Sequence, residues 1–235
     1  ATAVARAAME TDVAARPLAD IEAYKQKLDS SVFRSAMLMR PVFEAAKSAS
    51  RRIVFAEGED ERVLRATQAM IEETTEVPIL IGRPDVIARR CERAGLPIRP
   101  ERDFEIVNPE NDPRYREYWE TYHTLMERRG VTPDVAKAIL RTNTTAIAAI
   151  MVHRNEADSM ICGAFGQYLW HMNYVREVLA RDGLRPVGAL SLVIQSDGPL
   201  FIADTQINAE PTPEQIAETV IGAARHARRF GVTPK

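Results

Sequence analysis

The chain predicts an α/β fold built on a parallel sheet, and three observations carry that prediction. From Arg52 onward short apolar runs alternate with amphipathic helical stretches, an order that pairs strands in parallel through right-handed crossovers. Ser159 to Cys162 is an uncharged apolar run too short for a helix, it is followed by Gly163 and Gly166, and helical spacing begins at Tyr168. Cap residues punctuate the helical stretches, from Gly95 through Thr132 to Thr212.

Residues 1–16 are alanine-rich with scattered charge and are stopped by Pro17, which suits a surface helix or the tail of a preceding domain equally well. Asp20 to Leu28 and Ser31 to Lys47 read as helices. Val32, Phe33, Ala36, Met37, Met39, Val42 and Phe43 supply apolar contacts, and Pro41 kinks or divides the second helix. Arg52 to Ala56 is a strand, Glu57 to Asp60 a turn, and Asp60 to Glu73 a helix with Val63, Leu64, Thr67, Met70 and Ile71 on one face. Val77 to Ile81 forms a second strand ending at Gly82, Asp85 to Ala94 a helix stopped by Gly95, and Phe104 to Val107 a third strand.

Asn108 to Pro113 makes a turn before a helix carrying Tyr115, Tyr118, Trp119 and Tyr122, whose spacing fits core or subunit contact better than a stacking platform. Gly130 ends that helix, Thr132-Pro133-Asp134 starts the next, and a further helix runs from about Thr144 to Asn155. Helices in succession without a strand between them predict a second lobe beside the sheet. Ser159 to Cys162 is then a buried strand. Leu169, Met172, Val175 and Leu179 form the inner face of the helix after it, which Asp182-Gly183 closes. Val187 to Gln195 and Leu200 to Ala203 read as an antiparallel pair joined by a hairpin loop at Ser196 to Pro199. The last helix has Thr212 as cap, Pro213 at its first position and Gln215 completing a capping box. Its buried face is Ile216, Val220, Ala223, Ala224, Ala227 and Phe230.

A chain of 235 residues with 46% hydrophobic and 27% charged residues can bury a core without staples. Its net charge of −2 gives no field that would draw nucleic acid or an anionic membrane. Cys91 and Cys162 lie far apart and read as free thiols of a reducing compartment. No apolar run approaches the about 20 residues of a membrane span, and Arg6, Glu10, Asp12 and Arg16 break any signal-peptide layout. The expectation is a cytoplasmic protein with neither nucleic acid nor membrane as partner.

The candidate ligand site is the turn from Gly163 to Tyr168, because a strand, a glycine turn and a helix N-terminus present backbone N–H groups to an anion. Gly163-x-x-Gly166 lacks the third glycine of the dinucleotide fingerprint and the Gly-Lys-Ser/Thr end of a P-loop, so the spacing also suits plain turn chemistry. His171 is the one histidine near this turn, whereas His123, His153 and His226 read as surface residues. Glu57, Glu59, Asp60 and Glu61 could hold a metal, but better suit a solvated turn that complements a helix dipole. Arg128-Arg129 and Arg225, Arg228 and Arg229 fit phosphate binding or helix-end charge. Asp204 follows a predicted buried strand at a sheet's carboxyl edge, where α/β ligands gather. The chain has no Cys/His pair, Ser-centred elbow or metal-ligand spacing, so neither a metal nor a catalytic residue is assigned.

Two segments, Arg52-Ile-Val-Phe-Ala-Glu-Gly-Glu-Asp-Glu-Arg-Val-Leu-Arg-Ala66 and Asp204-x-x-Ile-Asn-x-x-Pro-Thr-x-Glu-Gln-x-Ala-Glu218, resemble the phosphate acetyltransferase family, and Ala157 to Ala164 fits its strand and glycine turn. Asn108 to Trp119, Arg128 to Thr132 and Gly163-Ala-Phe-Gly-Gln-Tyr168 look like one branch of it, the C-terminal phosphotransacetylase-like domain of large bacterial NADP-dependent malic enzymes. The resemblance covers about residues 20–235. It implies a two-lobed, three-layer α/β/α fold like that of isocitrate and isopropylmalate dehydrogenases, C-terminally truncated. Residues 1–50 would form a helical connector from a preceding malic enzyme domain and residues 51–235 the phosphotransacetylase-like domain.

The resemblance further implies a regulatory and oligomerisation role, with acetyl-CoA as allosteric inhibitor, dimerisation through the second lobe and a hexameric parent. That parent converts malate to pyruvate and CO2 with NADP and Mg or Mn, and this fragment itself needs no cofactor. Gly163, Gly166, Gln167, Tyr168, Arg176 and Asp204 would lie near acetyl-CoA. The alternatives are a working phosphate acetyltransferase and a purely structural assembly module. Transferases of the family follow the glycine turn with a histidine and hydroxyl residues. Here Phe165-Gly166-Gln167-Tyr168 stands instead, and Met126 and Glu127 occupy the neighbourhood of an expected arginine.

Overall fold

Two helices lead the chain, α1 (Thr2–Glu10) and α2 (Ile21–Ser48), and an α/β body follows. The computed structural model describes residues 2–49, 51–74, 76–180, 187–195 and 198–234. It falls into two compact units, one of Ala46–Val187 and one of Ala1–Ala45 with Gly188–Lys235. The expected division at residue 50 differs from this grouping, which places the last segments of the chain in the same unit as the first.

In the larger unit, β1 (Ile53–Phe55), α3 (Glu61–Glu73), β2 (Ile79–Ile81), α4 (Pro84–Arg93) and β3 (Glu105–Val107) alternate as predicted. Asp60 caps α3 by accepting the Arg62 N–H at 2.9 Å, and Gly95 after α4 is left-handed at φ 66°. Next come α5 (Tyr115–Met126), a 3-10 turn at Glu127–Arg129, α6 (Pro133–Thr142) and α7 (Thr144–His153). Strand β4 (Ser159–Ile161) and α8 (Tyr168–Leu179) complete the unit. The four strands are parallel in the order β3-β2-β1-β4.

The sheet has a two-sided core, set by the alternation of side chains along each strand. Phe55 and Leu80 point to one face and pack with Val63, Leu64, Ile87 and Cys91 of α3 and α4. Val54, Ile79, Ile81 and Val107 point to the other, where Tyr118 and Tyr122 of α5, Leu140 of α6 and Ile147 and Ile150 of α7 pack on them. The predicted second lobe from α5 to α7 is therefore the second covering layer of this sheet. Its want of an intervening strand has a simple cause, since α7 is apolar all round and lies buried from Thr145 to Met151. No single helix among the described residues is long and apolar enough to cross a membrane.

Strand β4 departs from its expected burial, because it is the sheet's edge among the described residues: Ser159 is exposed and Ile161 is half exposed. The inner face of α8 is met in part, since Leu179 packs on the core as expected. Val178 is buried and Tyr174 packs on the core, while Leu169 stands 63% exposed.

The smaller unit holds α1, which has no buried residue, and most of α2, which continues through Pro41 where a kink or a division was expected, so the division does not occur. Met37 and Phe43 of α2 are exposed, and the side chains of Val32, Phe33 and Ala36 lie outside the described residues. Strands β5 (Leu190–Gln195) and β6 (Gly198–Ala203) pair antiparallel as predicted, with α9 (Pro213–Arg229) behind them. Phe201 meets Phe230 edge-on at 5.5 Å. Gly198 and Pro199 belong to β6 instead of the loop; Ser196 and Asp197, like Asp182-Gly183, lie outside the described residues. The capping box at Thr212 and Gln215 forms, but only Ala227 of the predicted inner face of α9 is buried, and Ile216 and Val220 are exposed.

Candidate functional site

Each parallel strand of the larger unit ends in a turn on one side of the sheet. The strand order reverses between β1 and β4, and a crevice opens at such a switch point beyond the strands' carboxyl ends. A cavity of about 460 Å³ lies there. Ala56, Glu57 and Asp60 line it after β1, Gly82 and Arg83 after β2, Pro109 and Glu110 after β3 and Phe165 after β4. Arg90, Arg141 and Thr144 complete its wall.

The turn after β1 is fixed by sterics. Gly58 donates its N–H to the Ile81 carbonyl at 3.0 Å, and a Cβ there would stand 2.8 Å from that same oxygen, so a glycine is required. Its neighbour Glu57 is only 4% exposed, which corrects the expectation of a solvated turn. Burial is tolerated because the carboxylate is used: Glu57 Oε1 accepts the Gly163 N–H at 2.9 Å and lies 3.7 Å from His171 Nδ1.

His171 closes the turn after β4. Its Nε2 is 2.7 Å from the Phe165 carbonyl and its Nδ1 is 2.7 Å from Thr145 Oγ1. A carbonyl only accepts, so Nε2 carries the hydrogen, and in the neutral ring Nδ1 accepts from the Thr145 hydroxyl. Burial, with the Glu57 charge adding to it, pushes the Cys162 thiol up to about 11, which disfavours its thiolate at neutral pH.

The charges around the cavity divide into two kinds. Arg83 pairs with Glu59 through Nε at 2.8 Å and Nη2 at 2.9 Å, and this bond holds the Glu59 carboxyl below the usual carboxylate range. Arg62 hydrogen-bonds Asp60, holding that carboxyl down at about 2, and reaches the Ala164 carbonyl, which ties α3 to the glycine turn. Arg90 and Arg141 instead donate to main-chain carbonyls, Arg90 to Glu59 and Arg141 to Pro109 at 3.3 Å and to Glu110. Among the described residues neither guanidinium hydrogen-bonds a carboxylate; Arg90 acts on the Glu59 carboxylate through charge alone and Arg141 lies over the Tyr115 ring at 4.0 Å, which suits an anionic ligand group in the cavity.

Of the residues singled out in the sequence, Gly163, Gly166, Gln167 and Tyr168 share one exposed turn, with the glycines left-handed at φ 95° and 91°. The Gly163 N–H is spent on Glu57, so the anion cradle expected there has one donor fewer. Arg176 is exposed on α8, two turns past Tyr168. Asp204 belongs to the smaller unit and follows β6, a strand of an antiparallel pair, so the carboxyl-edge reason for choosing it falls away. Its carboxylate accepts N–H groups of Ala189 at 3.1 Å, Ile207 at 3.2 Å and Asn208 at 3.0 Å, and the Asn208 side chain at 2.5 Å. Burial alone would raise the Asp204 carboxyl, but these donors carry it below the ordinary value.

Arg83, Arg90, Arg141, Thr144 and Thr145 did not stand out in the sequence. A signal was available for Arg83, which directly follows the predicted end of β2. The others stand on helices with nothing local to distinguish them.

The family model described as Phosphate acetyl/butaryl transferase matches residues 37–235. An NAD-dependent malic enzyme of Rhizobium meliloti is 52% identical over the whole chain, and an NADP-dependent malic enzyme of Salmonella typhimurium is 49% identical. The chain spans 31% of the length of each. A phosphate acetyltransferase of Nitratidesulfovibrio vulgaris is 29% identical over 90% of the chain and 31% of its own length. A phosphotransacetylase structure from Streptococcus pyogenes superposes with a TM-score of 0.71 at 24% identity, covering 79% of this chain and 56% of that one. Another from Staphylococcus aureus gives 0.72 at 21%, covering 86% and 59%. These two likenesses show a shared fold.

Proposed function

The chain belongs to the phosphate acetyl/butaryl transferase family, and from that premise we propose that it is the regulatory and oligomerisation domain of a cytoplasmic malic enzyme, with acetyl-CoA as its allosteric inhibitor. The observation that carries this reading is that two malic enzymes match the entire chain at 52% and 49% identity, against 29% for a phosphate acetyltransferase and 30% for another malic enzyme. In such an enzyme malate is oxidatively decarboxylated to pyruvate with NAD or NADP and a divalent metal in another part of the polypeptide. The two-lobed, isocitrate-dehydrogenase-like arrangement, the dimer and the hexamer are part of the same proposal.

The crevice supports binding in two ways. Arg90 and Arg141 offer charge to the phosphates, and the turn carrying Gly163, Gly166, Gln167 and Tyr168, with Arg176 beyond it, borders the crevice through Phe165. Asp204 enters by shaping its own loop. Acetyl-CoA bound here biases a distant active site only insofar as its affinity differs between two states of the assembly.

The family match also supports a second reading, acetyl transfer between phosphate and CoA. One pair of assays on the full-length enzyme separates the two. Acetyl-CoA should inhibit malate-dependent coenzyme reduction, and acetyl phosphate with CoA should yield no acetyl-CoA. Malate oxidation indifferent to acetyl-CoA overturns the regulatory reading, and formation of acetyl-CoA establishes the transferase.

A further inference from the structure

A second cavity, of about 440 Å³, lies beside the start of α8 and uses none of the residues of the crevice. Trp170, Asn173, Tyr174 and Glu177 line it from α8 at steps of three, one and three, which is one helical face; Tyr122 and Asn143 line it from α5 and the α6–α7 junction. Trp170 is 62% exposed, an indole left uncovered at the mouth of a pocket with two tyrosines behind it.

Glu177 and Asn143 supply the pocket's acceptors, beside donors on Asn173, Tyr174 and the Trp170 indole. Tyr122 donates its hydroxyl to Glu177 Oε2 at 2.7 Å, which leaves Oε1 of that carboxylate for a ligand. Burial, and then this bond, raise the Tyr122 phenol well above its ordinary range, so it stays a donor. Asn143 commits its amide nitrogen to the Ile139 carbonyl at 3.2 Å and Thr142 Oγ1 at 3.0 Å, so its oxygen is what it can offer. Glu177 is the sole charged group in the pocket wall among the described residues, which disfavours phosphate there and favours a donor.

We propose that this pocket binds a purine base carrying an exocyclic amine, stacked on Trp170 with its amine given to Glu177 and Asn143. Stacking is tolerant of ring identity, whereas the acceptor pair discriminates an adenine-type edge from one that presents a carbonyl. Where the ligand is acetyl-CoA, the pocket takes its adenine, and that identification rests on the regulatory reading above. The base pocket itself does not.

The test is tryptophan fluorescence of the 235-residue chain titrated with adenosine 3′,5′-bisphosphate, inosine 3′,5′-bisphosphate, acetyl-CoA and acetylpantetheine. Calorimetry reads the Trp170→Ala variant, which lacks the reporting indole. Saturable quenching by the adenosine compound is expected, with the inosine compound about 10-fold weaker. Trp170→Ala should weaken binding by about 10- to 100-fold, matching the stacking energy of one base. Glu177→Gln keeps an acceptor for Tyr122, guards against a misfolded Trp170 variant, and should bring the adenosine and inosine compounds closer together. Quenching by adenosine bisphosphate without any acetyl-CoA inhibition of malate oxidation supports the pocket while removing the regulatory reading. Acetyl-CoA binding that is unchanged in Trp170→Ala, or no quenching by the adenosine compound, overturns the pocket and leaves the regulatory reading standing.

Discussion

Glu57 and Gly163 are 106 residues apart in the chain and 2.9 Å apart in the fold, where Glu57 Oε1 accepts the Gly163 N–H. The bond joins the turn after β1 to the turn after β4 across the point where the strand order reverses, and the Glu57 side chain is only 2% exposed. A buried carboxylate in that place sets the position of the glycine turn, and with it the position of Phe165 at the crevice.

Glu57→Ala leaves the Gly163 N–H without its acceptor, at a cost of about 1–3 kcal/mol. Urea unfolding should show that loss. Glu57→Gln, which keeps an acceptor oxygen, should lose clearly less. Equal effects of the two substitutions would mean that this hydrogen bond does not organise the turn.

Gly58 and Gly130 are both needed, for different reasons, and alanine separates them. At Gly58 a Cβ meets the Ile81 carbonyl and Leu80 Cβ at 2.8 Å, so Gly58→Ala should cost about 1–3 kcal/mol through overpacking and should disturb the crevice. Gly130 has open space around it but φ 86°, so Gly130→Ala should cost about 1–2 kcal/mol from backbone strain alone. Ligand binding distinguishes them, since only Gly58→Ala is expected to weaken it.

Local signals made much of this fold legible in advance. Thr132 and Thr212 act on neighbours within three residues and cap the helices they were expected to cap, with Gln215 completing the box at Thr212. Gly95 and Gly130 are left-handed where a stop was read. The site was harder to see, because its defining bonds cross long stretches of chain. Glu57 sits in the run Glu57-Gly-Glu-Asp60, which looks solvated until β4 arrives beside it with Gly163. His171 acquires a role only through Thr145 and Phe165, and Arg90 and Arg141 only through carbonyls on other turns. The inner face of α8 was legible in part: Leu179 packs on the core as expected, but Tyr174 and Val178 share that face and Leu169 is exposed, which the packing of α7 and α8 decides.

Acid should weaken the turn at Asp60 in a defined window. Arg62 holds its carboxyl at about 2 against an ordinary 3.8, so the stabilisation is fully present above about pH 5 and is lost as pH falls towards 2. Asp60→Asn preserves an N-cap oxygen while removing the charge, and should flatten the acid limb of the stability curve across that window. An unchanged limb would assign it to other carboxylates.

Tyr118 and Tyr122 should resist ionisation. Burial, and then hydrogen bonds to Glu156 and Glu177, raise both phenols well beyond the ordinary tyrosine range. Replacing both with Phe should leave the tyrosinate absorbance change of the folded protein between about pH 9 and 11 as it was. A smaller change in the double variant would show that these phenols already titrate in the native state.

The measurement that bears most directly on the account is calorimetric titration of the 235-residue chain with acetyl-CoA, using free CoA as control. The account predicts saturable heat with acetyl-CoA, weaker with CoA and reduced in Arg141→Ala and Arg176→Ala. A flat titration with a folded chain would contradict the claim that these residues hold a site for acetyl-CoA.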